Sequence, residues 1–194
     1  MNTSAIINTL QQRGGFITTD EVKSRREYEQ LRRATENGIL MRIRKGIYAE
    51  MSALANNMID VERIVPHGVL CLYSAFAHYG LSTQVPSATC IAIEAKRKVR
   101  LPAYPPINLY FWKKDNLEFG IIHKNISGHD VLITDIERTV CDAIKYRNKI
   151  GLDVCGEVID NYLKKETRNI SILHEYAQRL RVKNILTIYL ETRL

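Results

Sequence analysis

Arginine, lysine and glutamine side chains gathered in one short stretch are the residues of this chain best suited to chemistry. Between Lys23 and Lys45 stand eight basic residues and three acidic ones (Glu27, Glu29 and Glu36), a local net charge of +5 in a chain whose formal net charge is +7. Ser24, Arg25, Arg26, Gln30, Arg32 and Arg33 come first, and Arg42, Arg44 and Lys45 follow. Guanidinium and ammonium groups neutralise phosphates, and Arg and Gln also carry the paired hydrogen-bonding groups that read base edges. The chemistry on offer is recognition of a nucleic-acid duplex rather than bond making.

The elements that must position these groups can be read from their neighbours. Ser4 to Arg13 has Ile6, Ile7 and Leu10 at helical spacing, with Gly14-Gly15 as a stop. Thr18 and Glu21 have the spacing of a capping box and open a second, short helix ending near Lys23. Ser24 caps a third helix that runs to Asn37 and stops at Gly38. Tyr28, Leu31 and Ala34 are expected on its packed arc. Arg26, Glu29, Gln30, Arg33 and Asn37 are expected opposite, with Arg25 and Arg32 at the edge. Ile39 to Arg44 alternates apolar and polar residues, except at Leu40, and Lys45-Gly46 turns it back into Ile47-Tyr48-Ala49. This order predicts a winged helix-turn-helix over residues 1–50, with double-stranded DNA as its partner. Ser24, Arg25, Arg26, Gln30, Arg32 and Arg33 would present from the helix, and Arg42, Arg44 and Lys45 from the wing. A solvated helix with mixed charges is the plain alternative, and the three glutamates favour it.

Downstream, residues 51–66 are expected to form a linker helix and residues 67–194 a second domain. Val69 to Tyr79 reads as one buried helix stopped by Gly80. Cys90–Ala95, Asn108–Trp112, Phe119–His123 and Val131–Ile133 read as strands of a small sheet. Thr134 to Glu137 repeats the capping-box pattern at the head of a helix reaching Lys149. Further helices are expected over Gly151–Lys165, Ile172–Leu180 and Val182–Leu194. The predicted fold class is therefore α+β.

Five other constellations invite chemistry. Glu94 and Lys96 have the E-x-K form of metal-dependent nucleases, but the one acidic candidate shortly upstream, Asp60, sits in a segment that reads as helix. Lys96, Arg97, Lys98 and Arg100 form a second basic patch, open between a phosphate contact and a solvated loop. His123, His129 and Asp130 lack metal-ligand spacing, so no metal is expected. Tyr104, Tyr110, Phe111 and Trp112 could stack on single-stranded RNA, although a sheet core accounts for them more simply. Arg138 and Asp142, four apart, are expected to form an intrahelical ion pair, with Glu137 acting as a cap. No phosphate-binding glycine loop, cofactor motif or catalytic triad stands out, so neither catalysis nor a cofactor is expected.

Composition agrees with a globular protein: 45% of residues are hydrophobic and 25% charged. No apolar run approaches a membrane span and no signal peptide opens the chain, so the expected location is the cytoplasm, away from membranes. Cys71, Cys90, Cys141 and Cys155 show neither a CxxC pair nor zinc spacing, and are expected to be buried free thiols.

The wing, with Gly38, Arg42, Arg44, Gly46 and Tyr48 in a GxxxRxRxGxY-like order, resembles the N-terminal winged helix of AbiEi-family antitoxins of type IV toxin–antitoxin systems. So does GGFITTDEV from Gly14. SAFAHYGLS (Ser74 to Ser82), ITDIERTVCDAI (Ile133 to Ile144) and HEYAQRLRVKNILTIYLE (His174 to Glu191) are similar to the C-terminal domain of the same family. The chain departs from the family at Lys23-Ser24-Arg25-Arg26, ahead of the recognition helix. The resemblance implies a regulator that represses its own operon and counteracts a nucleotidyltransferase toxin without necessarily binding it. A module that neutralises its partner by direct binding is the alternative in another class, and a nuclease built on Glu94 and Lys96 a remote third.

Overall fold

The computed structural model describes residues 15–50, 61–101, 105–126 and 128–193. The chain divides into two compact units. One comprises residues 1–66 with 98–106 and 127–129; the other comprises 67–97, 107–126 and 130–194. The expected helix at Ser4–Arg13 and residues 51–60 of the expected linker helix lie outside the described residues.

In the first unit, β1 (Phe16–Thr18) leads through a 3-10 turn at Thr19–Glu21 to α1 (Arg25–Glu36), then β2 (Leu40–Arg44) and β3 (Ile47–Glu50). A short helix, α2 (Val61–Ile64), follows. The three strands form an antiparallel sheet in the order β1-β3-β2. The segment at Thr18 is thus a single 3-10 turn rather than a helix to Lys23, because Val22 is already extended. The Glu21 carboxylate still accepts the Thr18 backbone N–H at 2.8 Å, as the capping pattern requires.

At α1, Ser24 Oγ accepts the Glu27 N–H at 3.2 Å, and the Glu27 carboxylate accepts the Lys23 N–H at 2.8 Å. One of the three glutamates is therefore occupied as a cap. Leu31 and Ala34 pack with Ile17, Leu40 and Tyr48, and burying a leucine contributes about 2 kcal/mol. Tyr28 does not join them: it is 48% exposed, because a three-residue step from Leu31 carries it to the flank of the buried arc. Leu40, which broke the alternation, is buried together with Ile43. A register shift between Arg42 and Arg44 explains both, since the extra residue of a bulge flips the side-chain phase of the strand.

Gly46 closes the hairpin at φ +82 and its carbonyl accepts the Thr19 N–H at 2.8 Å. A Cβ there would stand 2.8 Å from Thr19 Oγ1. Gly46→Ala should cost about 1–2 kcal/mol from the left-handed backbone alone, with the contact adding to it. A lowered urea midpoint would show this; an unchanged midpoint would remove the turn from the account.

The second unit contains β4 (Val69–Leu70), α3 (Leu72–Tyr79), β5 (Thr89–Glu94), β6 (Ile107–Trp112), a 3-10 turn at Lys114–Leu117, β7 (Ile121–Ile126) and, from Asp130 on, β8 (His129–Thr134). Four helices follow: α4 (Ile136–Ile150), α5 (Leu152–Leu163), α6 (Ile170–Arg179) and α7 (Lys183–Glu191). The sheet is mixed, in the order β6-β5-β4-β8-β7, with β5·β6 and β4·β8 parallel and β4·β5 antiparallel. The apolar run from Val69 is thus a strand and then a helix. Val69-Leu70 lies between two strands, and a central strand of this kind shows no alternation that separates it from a buried helix.

One face of the sheet (Val69, Cys90, Ala92 and Trp112) packs on Phe76, Ile144, Val158, Leu173 and Leu186 of the helices. All four cysteines are free and buried, and burial raises the pKa of each thiol, as it should for inert core residues.

Arg138 is a second centre of this core and is fully buried. Its Nε donates to both Asp142 oxygens at 3.1 Å, and its Nη1 donates to the carbonyls of Asn116 at 2.8 Å and Phe119 at 2.9 Å. The guanidinium lies 4.6 Å from the Trp112 ring centre and 4.4 Å from that of Phe119. Gly120, at φ +63, makes room for it: a Cβ there would fall 2.6 Å from Arg138 Cβ. The helix cap is Asp135, whose carboxylate accepts the Arg138 N–H at 2.7 Å. Glu137, expected to cap, instead accepts the Tyr162 hydroxyl at 3.1 Å and the Asn169 N–H at 3.0 Å. The box fails because the helix begins one residue later than Thr134 implied.

Candidate nucleic-acid interface

The cations of α1 fall into two parallel stripes. Arg25, Glu29, Arg32 and Glu36 follow each other at four- and three-residue steps, and so do Arg26, Gln30, Arg33 and Asn37. The first stripe alternates in sign, and its second half is paired. Arg32 Nε bonds Glu36 at 2.9 Å, and Arg32 is held above its usual pKa by that bond first and by Glu29 further off. The second stripe carries no acid. Arg26 and Arg33 are exposed and Gln30 is half-buried at its edge.

Arg25 and Arg26 occupy the first turn, where free N–H groups make the helix end positive. Two cations there oppose the helix dipole, a placement that an incoming phosphate would relieve. Ser24, exposed at the N-cap, spends a lone pair on Glu27 and keeps its hydroxyl proton to donate. Arg42 on β2 and Lys45 at the turn are exposed; Arg44 ends β2, and its side chain lies outside the described residues. Tyr28 stands half in solvent beside the first stripe, an exposure that its apolar-looking spacing concealed.

The remaining constellations separate. Lys96 and Arg97 fall in the second unit and Lys98 and Arg100 in the first. Lys96, Lys98 and Arg100 are exposed, and Arg97 is half-buried with its N–H on the Glu94 carbonyl at 2.9 Å. Glu94 ends β5 opposite Trp112 and is exposed, and Asp60 lies outside the described residues. Among the described residues no three His, Cys, Asp or Glu side chains could hold a metal ion. His123 is exposed, and Asp130 accepts the Asn125 amide at 2.8 Å. Of the aromatic set, Tyr104 lies outside the described residues, and Tyr110 and Trp112 both engage Tyr146. The rings of Tyr110 and Tyr146 meet edge-on at 5.5 Å, and Trp112 Nε1 donates to the Tyr146 hydroxyl at 2.9 Å. Phe111 is 57% exposed. No helix among the described residues is long and apolar enough to cross a membrane.

The protein is of mixed α+β class, and its basic helix and hairpin share one N-terminal unit. Residues 4–50 match the model of a family described as transcriptional regulators, AbiEi antitoxins. The match spans the helix and the hairpin together, so the likeness first read in the wing residues holds over this segment. No curated protein matches the chain.

Proposed function

We propose that the chain is a DNA-binding transcriptional regulator and antitoxin. On this reading it represses its own type IV toxin–antitoxin operon in the cytoplasm and counteracts a nucleotidyltransferase toxin. The observation that carries the reading is the acid-free stripe of Arg26, Gln30 and Arg33, set on the family-matched segment with an exposed hairpin cation on either side of Arg44. In this reading α1 is the recognition helix of a winged helix-turn-helix. Its stripe enters the major groove of operator DNA, with Ser24, Arg25 and Arg32 at the groove wall. Arg42, Arg44 and Lys45 hold the backbone from the wing.

Footprinting on the DNA upstream of the start codon should show a protected site. Each neutralised phosphate contributes about 0.9 to the salt slope of log K, so Arg42→Ala should weaken binding to every sequence and flatten the slope by about one. An absent footprint, or an Arg42→Ala slope equal to the wild type, overturns the assignment.

A further inference from the structure

A cavity of about 560 Å³ opens in the second unit, within the size range of small-ligand sites. Lys113, Lys145, Arg179 and Arg181 line it, with Asp115 and Glu118 offsetting half of their charge. Arg179 is tied to Glu175 at 3.1 Å, whereas Lys113, Lys145 and Arg181 form no ion pair among the described residues. Asp142, the carboxylate closest in chain to Lys145, is already held through both oxygens by Arg138. The Lys145 ammonium sits below its usual pKa. Partial burial is the main cause, and the cations of Arg138 and Lys113 add to it against the pull of Asp142. Like charges are thus crowded at one wall. Phe119 also lines the cavity, but Arg138 stands at 4.4 Å and Arg179 at 5.0 Å from its ring centre, so the ring is already engaged by two cations and offers no platform for a base.

Arg181 supplies an independent observation. The ends of α1, α3 and α6 share one motif, in which a residue at or just past the cap turns left-handed and the next N–H reaches back five residues. The pairs are Ile39 to Ala34, Leu81 to Phe76, and Val182 to Ala177. The left-handed residue is Gly38 in the first, Gly80 in the second and Arg181, at φ +60, in the third. A side chain there is strained where glycine would not be, and the strained residue is one that lines the cavity.

We propose that this cavity binds a small phosphate-bearing anion of nucleotide size, its phosphates held by Lys113, Lys145 and Arg181. The recognised chemistry is a run of phosphates, which tripolyphosphate and a nucleoside triphosphate both carry. Titration calorimetry of the full chain with each, at about 0.1 M salt, should give saturable binding. Lys145→Ala and Arg181→Gly should each weaken it at least about tenfold, the scale of one lost charge-assisted bond. Arg181→Gly should also raise the melting temperature, so its loss of binding is not a loss of fold. Equal affinity for the two ligands would place recognition in the phosphate chain alone, while tighter nucleotide binding would add the nucleoside; both support the site. The proposal is overturned if neither ligand binds or if the variants bind as well as the wild type. It falls equally if Arg181→Gly weakens only operator DNA in a gel shift.

Discussion

Arg138→Ala is expected to cost the second unit about 3–5 kcal/mol, a large part of the stability of a domain this size. The substitution leaves the Asp142 carboxyl fully buried without its partner, strips the donor from two carbonyls, and empties the space between the Trp112 and Phe119 rings. Urea unfolding followed by circular dichroism measures the loss, and an unchanged midpoint would refute it. Replacing the pair together, Arg138→Met with Asp142→Leu, should recover part of the loss because no lone charge remains. Recovery stays incomplete, since the Asn116 and Phe119 carbonyls still lack their donor, at about 1–3 kcal/mol each. The pair also sets a pH dependence. Burial pushes the Asp142 carboxyl up to about 6 from an ordinary 3.8, desolvation outweighing Arg138. The folded state then takes up a proton between about pH 6 and pH 4 that the unfolded chain does not. This group's contribution to stability therefore grows as pH falls through that window, and the gain should vanish in the double variant.

How the depth of Arg138 escaped the sequence shows what sequence can carry. The four-residue spacing to Asp142 announced an ion pair correctly, but a surface pair and a buried one have the same spacing. Depth was decided by Asn116, Phe119 and Trp112, some twenty residues away in sequence and brought in by the sheet. The local signals did better. Ser24 caps α1 and Gly38 and Gly46 turn the chain where their residue types said they would, because capping and positive φ are decided within a few residues. Leu40 and Val69 misled for the opposite reason, one through a bulge and one through a strand covered on both sides. The basic stretch was legible as charge, yet the pairing of Arg32 with Glu36 within the mixed-sign stripe needed the observed bond. The cavity was not legible at all. Its walls come from the 3-10 turn after β6, from α4 and from the end of α6, and no sequence motif joins them.

That division of α1 carries the other large effect. Arg26→Ala with Arg33→Ala should weaken operator binding by about 100-fold, on the basis of about 1–3 kcal/mol for each lost Arg contact, and flatten the salt slope by up to about two. Arg25→Ala with Arg32→Ala removes the same formal charge from the same helix and should cost much less, because a phosphate approaching that stripe also meets Glu29 and Glu36. Parallel gel shifts of the two double variants decide the matter, and equal losses would sink the two-stripe reading. Folding does not confuse the comparison. All four arginines are exposed, so each change should move stability by no more than about 1 kcal/mol. At Arg26 the sign should even reverse. Removing a cation from the positive end of the helix relieves an unfavourable contact worth about 0.3–1 kcal/mol. A variant that melts no earlier yet binds its operator far more weakly is what a residue kept for DNA, at some expense to its own helix, should produce.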